Sequence, residues 1–315
     1  MPHRGVGGTV RLVLFRPSVA AAAIAVLVAC SGAPPPSPSA IHDDAVTVTS
    51  FNFPESVVLA EVYAQAMEGA GIRVVRQLDL GPREVVDPAL ERGLVEFLPE
   101  YAGTALTFLS GGSDAAGPGR THAELVAAFA ARGIAVLDAA PAQDANGFAV
   151  TEATASRLDL ASMSDLAPYA ASMAFGGAPE CPQRPLCLEG LRSVYKLDFK
   201  TFVPLDAGGP LTVAALRSGQ IDVGLLFTSD GTIGHEGIVL LRDDLGLQPA
   251  ENVTPAILEE TLRRFAPRLP DVVNAISAQL TTAELRTMNA DLASGRSPDE
   301  VARKWLAAHG SGGSG

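Results

Sequence analysis

From Ala45 onward the chain alternates short β-type runs with helical segments, and that order confines it to a layered α/β architecture. Val46-Thr47-Val48 reads as a strand. Residues 55–69 place Val58, Leu59, Val62, Ala66 and Met67 along one helical face, which Gly71 ends. Strands are expected at 72–78, 95–98 and 134–137, with helices at 83–92, 102–109 and 122–131 between them. This β-α-β-α-β order argues for open parallel sheets. The middle of the chain repeats it, with strands at 174–175, 201–204 and 221–227 and helices at 188–195 and 211–218. After Pro249 the character changes, and 256–264, 271–279, 283–294 and 298–308 all read as helices. Their apolar faces, carrying Leu262, Phe265, Leu285, Met288, Val301 and Trp305, need cover, which the first α/β unit can supply. The fold class expected is therefore α/β in two lobes, residues 45–147 with 250–309 and residues 148–249. The chain crosses between them near Phe148 and Pro249. A hinged cleft at the carboxyl ends of the strands is where such proteins hold ligands.

The ends carry a different message. Arg4, Arg11 and Arg16 precede an apolar run from Val19 to Ala29, the order of an export signal, and about a dozen residues is short of the roughly 20 needed to span a bilayer. Leu27-Val28-Ala29-Cys30 has the small residues before cysteine of a bacterial lipobox. The reading is a signal peptide at 1–29, lipidation of Cys30, and a Pro/Ser-rich stalk over 30–44, which anchor the protein to the outer face of the cytoplasmic membrane. Residues 310–315 form a Gly/Ser tail. Lipidation leaves Cys181 and Cys187, separated by Pro182-Gln183-Arg184-Pro185-Leu186, and in an oxidising compartment they are expected to pair. No histidine stands near enough to complete a zinc shell with them.

Several function classes fall away. The formal charge is −12, with no basic cluster after the first residues, so nucleic acid is not an expected partner. There is no Gly-x-Ser-x-Gly elbow, P-loop or His-Glu-x-x-His. His122 and His235 stand apart from any nucleophile motif, so neither enzyme activity nor a cofactor is expected.

Spaced blocks are more specific. Phe51-Asn52-Phe53-Pro54-Glu55-Ser56, Leu80-Gly81-Pro82-Arg83-Glu84, Leu98-Pro99-Glu100-Tyr101-Ala102-Gly103-Thr104, Gln183-Arg184, Thr228-Ser229-Asp230-Gly231 and Asn252-Val253-Thr254-Pro255 run in order through the chain. Together they resemble the osmoprotectant-binding family, the substrate-binding proteins of glycine betaine, carnitine and choline ABC importers. The resemblance implies a type II-like periplasmic binding protein, monomeric, that closes on a small solute and hands it to an ABC permease driven by its ATPase. It also implies a box of tyrosines around a quaternary cation. Tyr101 matches the first box position and Thr104 a neighbouring polar contact, while Arg184 matches the carboxylate-binding arginine. The other box positions depart: Asn146 or Gly147, Phe227 and Glu251 stand where tyrosines are expected, and Phe51 replaces a basic residue before Asn52. The candidate cleft is thus Phe51, Tyr101 and Phe227 with polar rims at Asn52, Asp144, Asn146, Thr228 and Asn252, and Glu251 would aid a cation if it faced inward. A flat aromatic or polyol-like solute suits such a cleft as well as betaine does, and a receptor or adhesin role for the lipoprotein stays open. Arg83 and Glu84 either cap their helix or reach across the cleft. The turn Gly208-Gly209-Pro210 either presents N–H groups to an anion or is only a turn.

Overall fold

The computed structural model describes residues 44–111, 117–231, 233 and 237–309. The signal, Cys30, the stalk up to residue 43, His235 and the tail from residue 310 lie outside these residues. All that is described falls in one compact unit, Pro38–Gly315.

The first lobe begins β1 (Ala45–Phe51), α1 (Pro54–Gly69), β2 (Arg73–Gly81), α2 (Arg83–Glu91), β3 (Phe97–Tyr101), α3 (Ala102–Ser110), α4 (Pro118–Ala130) and β4 (Ile134–Val136). The second lobe follows as β5 (Asn146–Thr151), α5 (Glu152–Leu158), β6 (Ala174–Gly177), α6 (Leu188–Ser193), β7 (Thr201–Pro204), α7 (Pro210–Ser218), β8 (Val223–Phe227) and β9 (Ile238–Leu241). The chain then returns through β10 (Val253–Leu258) to α8 (Glu259–Phe265), α9 (Arg268–Ser277), α10 (Thr282–Ala293) and α11 (Pro298–His309).

Each lobe holds a five-stranded sheet, ordered β2-β1-β3-β10-β4 in the first and β7-β6-β8-β5-β9 in the second. Both sheets are mixed rather than wholly parallel, and the strand that departs is in each case the one that enters from the other lobe. β5 pairs antiparallel with β8 and β9, and β10 pairs antiparallel with β3 and β4. The parallel strands therefore end, and the crossing strands begin, at the same edge. That edge is the cleft. β1 is buried along its whole length because helices cover both faces of its sheet, which is why its pattern is continuous rather than alternating.

The structure corrects the reading of 256–264 as helix. Val253–Leu258 is a strand buried on both faces, and the helix starts only at Glu259. Pro255 disguises it, since proline inside a run argues against a central strand. The ladder tolerates it because Pro255 sits opposite Pro99, so the two missing N–H donors fall on one rung.

The two crossings are bonded to each other. Gln143 and Asn252 form an antiparallel bridge, Asp144 N–H donates to the Glu251 carbonyl at 3.0 Å, and Val253 N–H donates to the Ala142 carbonyl at 3.0 Å. The C-terminal helices pack on α1, where the Tyr63 and Ser277 hydroxyls meet at 2.9 Å, so they do cover the first lobe. In the second lobe Cys181 and Cys187 form a disulfide with Cα atoms 5.3 Å apart, both sulfurs buried. It closes the short loop whose crest is Arg184.

Candidate functional site in the interlobe cleft

Four aromatic rings gather at the cleft edge. Phe51 ends β1, Tyr101 ends β3 and Phe227 ends β8, while Phe53 stands between β1 and α1. The turn carrying Phe53 is held by Ser56, whose hydroxyl accepts the Phe51 N–H at 2.9 Å. Ring centroids lie 6.0 Å apart for Phe51 and Phe53, 5.8 Å for Phe53 and Tyr101, and 5.0 Å for Phe53 and Phe227. The last pair joins the lobes. These rings wall a cavity open to solvent, whose polar border is formed by Asn52, Arg83, Thr104, Asp144, Asn146, Glu180 and Arg184. Phe227 is held in place by Gly208, where an added Cβ would sit 2.7 Å from the ring and where φ is +67°.

Behind the rings lies a buried polar hub. Tyr101 donates its hydroxyl to Glu55 at 2.9 Å, and Asn289 donates its amide to the other Glu55 oxygen at 2.6 Å. Ser229 also donates its hydroxyl to Glu55, and its N–H donates to Asp144 at 2.9 Å. Burial pushes Glu55 up against these hydrogen bonds; burial first, and then Glu55 itself, push Asp144 well above the carboxylate range. Neutralising one of the pair by a retained proton is how two such carboxyls share an apolar site. Burial and the nearby Glu55 also raise the Tyr101 hydroxyl, keeping it a neutral donor.

The arginines are already matched. Arg83 lies 4.6 Å over the Phe51 ring and pairs with Glu100 and, at 3.8 Å, with Asp87. Burial opposes its charge, yet these carboxylates hold its pKa above the ordinary value. Arg184 reaches from the second lobe to Glu84 of the first, donating from Nη2 at 2.8 Å and Nε at 3.2 Å, and to Glu180 at 3.3 Å. Of the two readings of the Arg83-Glu84 pair, crossing the cleft therefore holds for Glu84. The Asp206 carboxylate accepts the N–H groups of Gly209, Leu211 and Thr212, so the start of α7 is satisfied from within.

Of the sequence candidates, the structure brings Phe51, Asn52, Tyr101, Thr104, Asp144, Asn146, Arg184 and Phe227 around one cavity. Thr228, Glu251 and Asn252 do not border it. Thr228 accepts the Ala145 N–H at 2.9 Å in the crossing. Asn252 donates to the Ala140 carbonyl at 2.8 Å. Glu251 turns away to cap α3, accepting the N–H groups of Gly103 and Thr104 at 3.0 Å each, because a carboxylate is favoured at a helix N-terminus. Phe53 and Glu180 are additions. The signal for Phe53 was its spacing two residues from Phe51 in extended chain, which returns it to the same side.

Burial pushes Glu251 up to about 7, against the Thr104 hydrogen bonds and the Arg83 charge. Its unfolded value is near 4.5, so between these limits the native chain holds a proton that the unfolded chain has released, and stability falls as pH rises. From pH 5 to pH 8 this costs about 2–3 kcal/mol, or roughly 5–10 °C in Tm. A Glu251→Gln variant, followed by thermal unfolding across that range, is expected to show a decline smaller by about that amount, the rest coming from the other raised carboxyls, Glu55 and Asp144.

The chain matches the model of the substrate-binding domain of ABC-type glycine betaine transport systems over residues 44–308. It belongs to that family. Among its relatives, the glycine betaine-binding protein YehZ of Escherichia coli (strain K12) is 26% identical over 265 residues, which is 80% of this chain and 86% of that protein. The carnitine transport binding protein OpuCC of Listeria monocytogenes serotype 1/2a (strain 10403S) is 24% identical over 273 residues, 84% of this chain and 86% of that one. A crystal structure of a glycine betaine/carnitine/choline ABC transporter matches with a TM-score of 0.67 at 25% identity, covering 84% of this chain and 98% of that chain. As a member of the glycine betaine substrate-binding family, the protein is an extracytoplasmic solute-binding component that works with an ABC permease and ATPase, and not an enzyme. His122 fits that assignment, its Nε2 lying 2.9 Å from the Leu137 carbonyl oxygen as part of the scaffold. No helix among the described residues is long and apolar enough to cross a membrane.

Proposed function

We propose that the protein captures a small osmoprotectant-like solute of the betaine, choline or carnitine type, bearing a quaternary ammonium group, in the interlobe cleft, closes its lobes on it, and presents the closed form to its permease. In this reading a signal peptide directs export and Cys30 carries the lipid that holds a monomer at the outer face of the cytoplasmic membrane. The observation that carries the reading is the cluster of Phe51, Phe53, Tyr101 and Phe227, rings drawn from both lobes. Aromatic faces attract a cation that donates no hydrogen bonds, more strongly where water is excluded. Rings contributed by both lobes reward the closed state, which is how ligand binding shifts a hinge equilibrium. Calorimetry with choline, glycine betaine and carnitine tests it. Saturable binding of at least one, with a ligand-linked rise in Tm, is the expected result; silence from all three defeats it.

Within that group Arg184 sets the choice. A ligand carboxylate must displace Glu84 and Glu180 from its guanidinium, whereas choline makes no such demand. Glu84→Gln is therefore expected to raise the affinity ratio of betaine to choline by about three- to fivefold, the scale of one partly exposed ion pair. An unchanged ratio would show that Arg184 takes no part in discrimination.

A further inference from the structure

The cleft continues past Arg184. Arg83, Thr104, Asn146 and Arg184 border both the aromatic cavity and a second one of similar size, also open to solvent. Its remaining surface is largely apolar, with Phe108 from the first lobe facing Leu186, Leu225 and the buried Cys181–Cys187 disulfide from the second. The two guanidiniums that touch it are already matched by Glu100 and Glu84, so no unpaired charge enters. Phe108 is 42% exposed, an aromatic ring left partly in water at the rim of an apolar space.

The two compartments lie on one strand. Leu225 and Phe227 are two residues apart on β8, which puts them on the same face with about 7 Å between their Cα atoms. Leu225 floors the second cavity and Phe227 walls the first. A ligand reaching from one to the other needs only a few bonded atoms. A compact trimethylammonium compound leaves the second space unused. We infer that the physiological ligand has two parts, an onium head for the aromatic cavity and an apolar substituent, a short acyl or alkyl chain or a ring, for the second.

This inference rests on the cation reading of the first cavity, and a homologous series separates the two. Calorimetry of the full chain with tetramethylammonium and then with trimethylalkylammonium ions from ethyl to hexyl gives an affinity gain per added methylene. The expected gain is about three- to fourfold per methylene, the value for burying one CH₂, until the cavity is full. In Phe108→Ser, and in Leu186→Gln should the first fail to fold, the gain measured against the same protein's tetramethylammonium affinity is expected to drop below about twofold. Binding of tetramethylammonium with no gain along the series overturns the second compartment and leaves the cation reading intact. So does a gain that both variants leave unchanged. Failure of every ion, tetramethylammonium included, removes the cation reading and this inference with it.

Discussion

Phe53→Ala is expected to weaken binding of a quaternary ammonium ion by about 30-fold, the equivalent of about 2 kcal/mol for a desolvated cation–π contact. Phe53 is the central ring of the cluster. It touches Phe51 and Tyr101 within its own lobe and Phe227 across the cleft, so its removal opens the aromatic wall and also takes away a contact between the lobes. The two consequences separate experimentally. Affinity measured by calorimetry reports both, whereas small-angle scattering of the unliganded protein reports the loss of the interlobe contact alone. A loss of less than about threefold would mean that the rings pack against one another without gripping a cation. Phe53→Tyr, which keeps the face, is expected to stay within about threefold of the native protein.

The second large effect is on stability. Glu55→Ala leaves the Tyr101 and Ser229 hydroxyls without their buried acceptor and takes one acceptor from the Asn289 amide, which keeps the Ser229 carbonyl at 2.9 Å. Each unsatisfied group costs about 1–3 kcal/mol, and relaxation together with relief of the buried carboxyl offsets part of the sum. A net loss of about 3–5 kcal/mol follows at pH 5. The loss is expected to shrink by pH 8, because the folded-state pKa of Glu55 is raised. At low pH the native carboxyl is neutral and well placed; as pH rises, the unfolded chain ionises freely while the native one resists, so the native residue itself becomes costly to keep. Thermal or urea unfolding at both pH values checks the sign. A variant equally destabilised at pH 5 and pH 8 would mean that Glu55 is fully ionised in the folded protein.

Much of the architecture was legible because periodicity is a local property. Strand 201–204 and the helices over 54–69 and 298–309 announce themselves through residues only a few positions apart. β10 was hidden for an equally local reason. A proline at 255 and a helical pattern from Glu259 merged strand and helix into one apparent segment, and only the partner strand, with its own proline at 99, makes the strand acceptable. The cleft was partly legible, since strand ends gather at one edge whatever their side chains. Sequence alone could not say where Glu251 points, because the helix N-terminus it caps lies 147 residues away. The hub at Glu55 has the same character, with Ser229 and Asn289 at separations of 174 and 234 residues. Hydrogen bonds of that range leave no periodic trace.

The paired crossings have a mechanical consequence. Two independent tethers would let the lobes swivel, slide and splay. Because Gln143 and Asn252 are bridged and their neighbours are hydrogen-bonded on either side, the tethers form a narrow two-stranded ribbon, a shape that bends more easily across its plane than within it. If the lobes close as proposed, such a ribbon is expected to confine the motion to one bending coordinate and to bring the rings of the two lobes together in one register. For a carrier of the proposed kind, which presents one loaded shape to its permease, that reproducibility would serve recognition as well as binding.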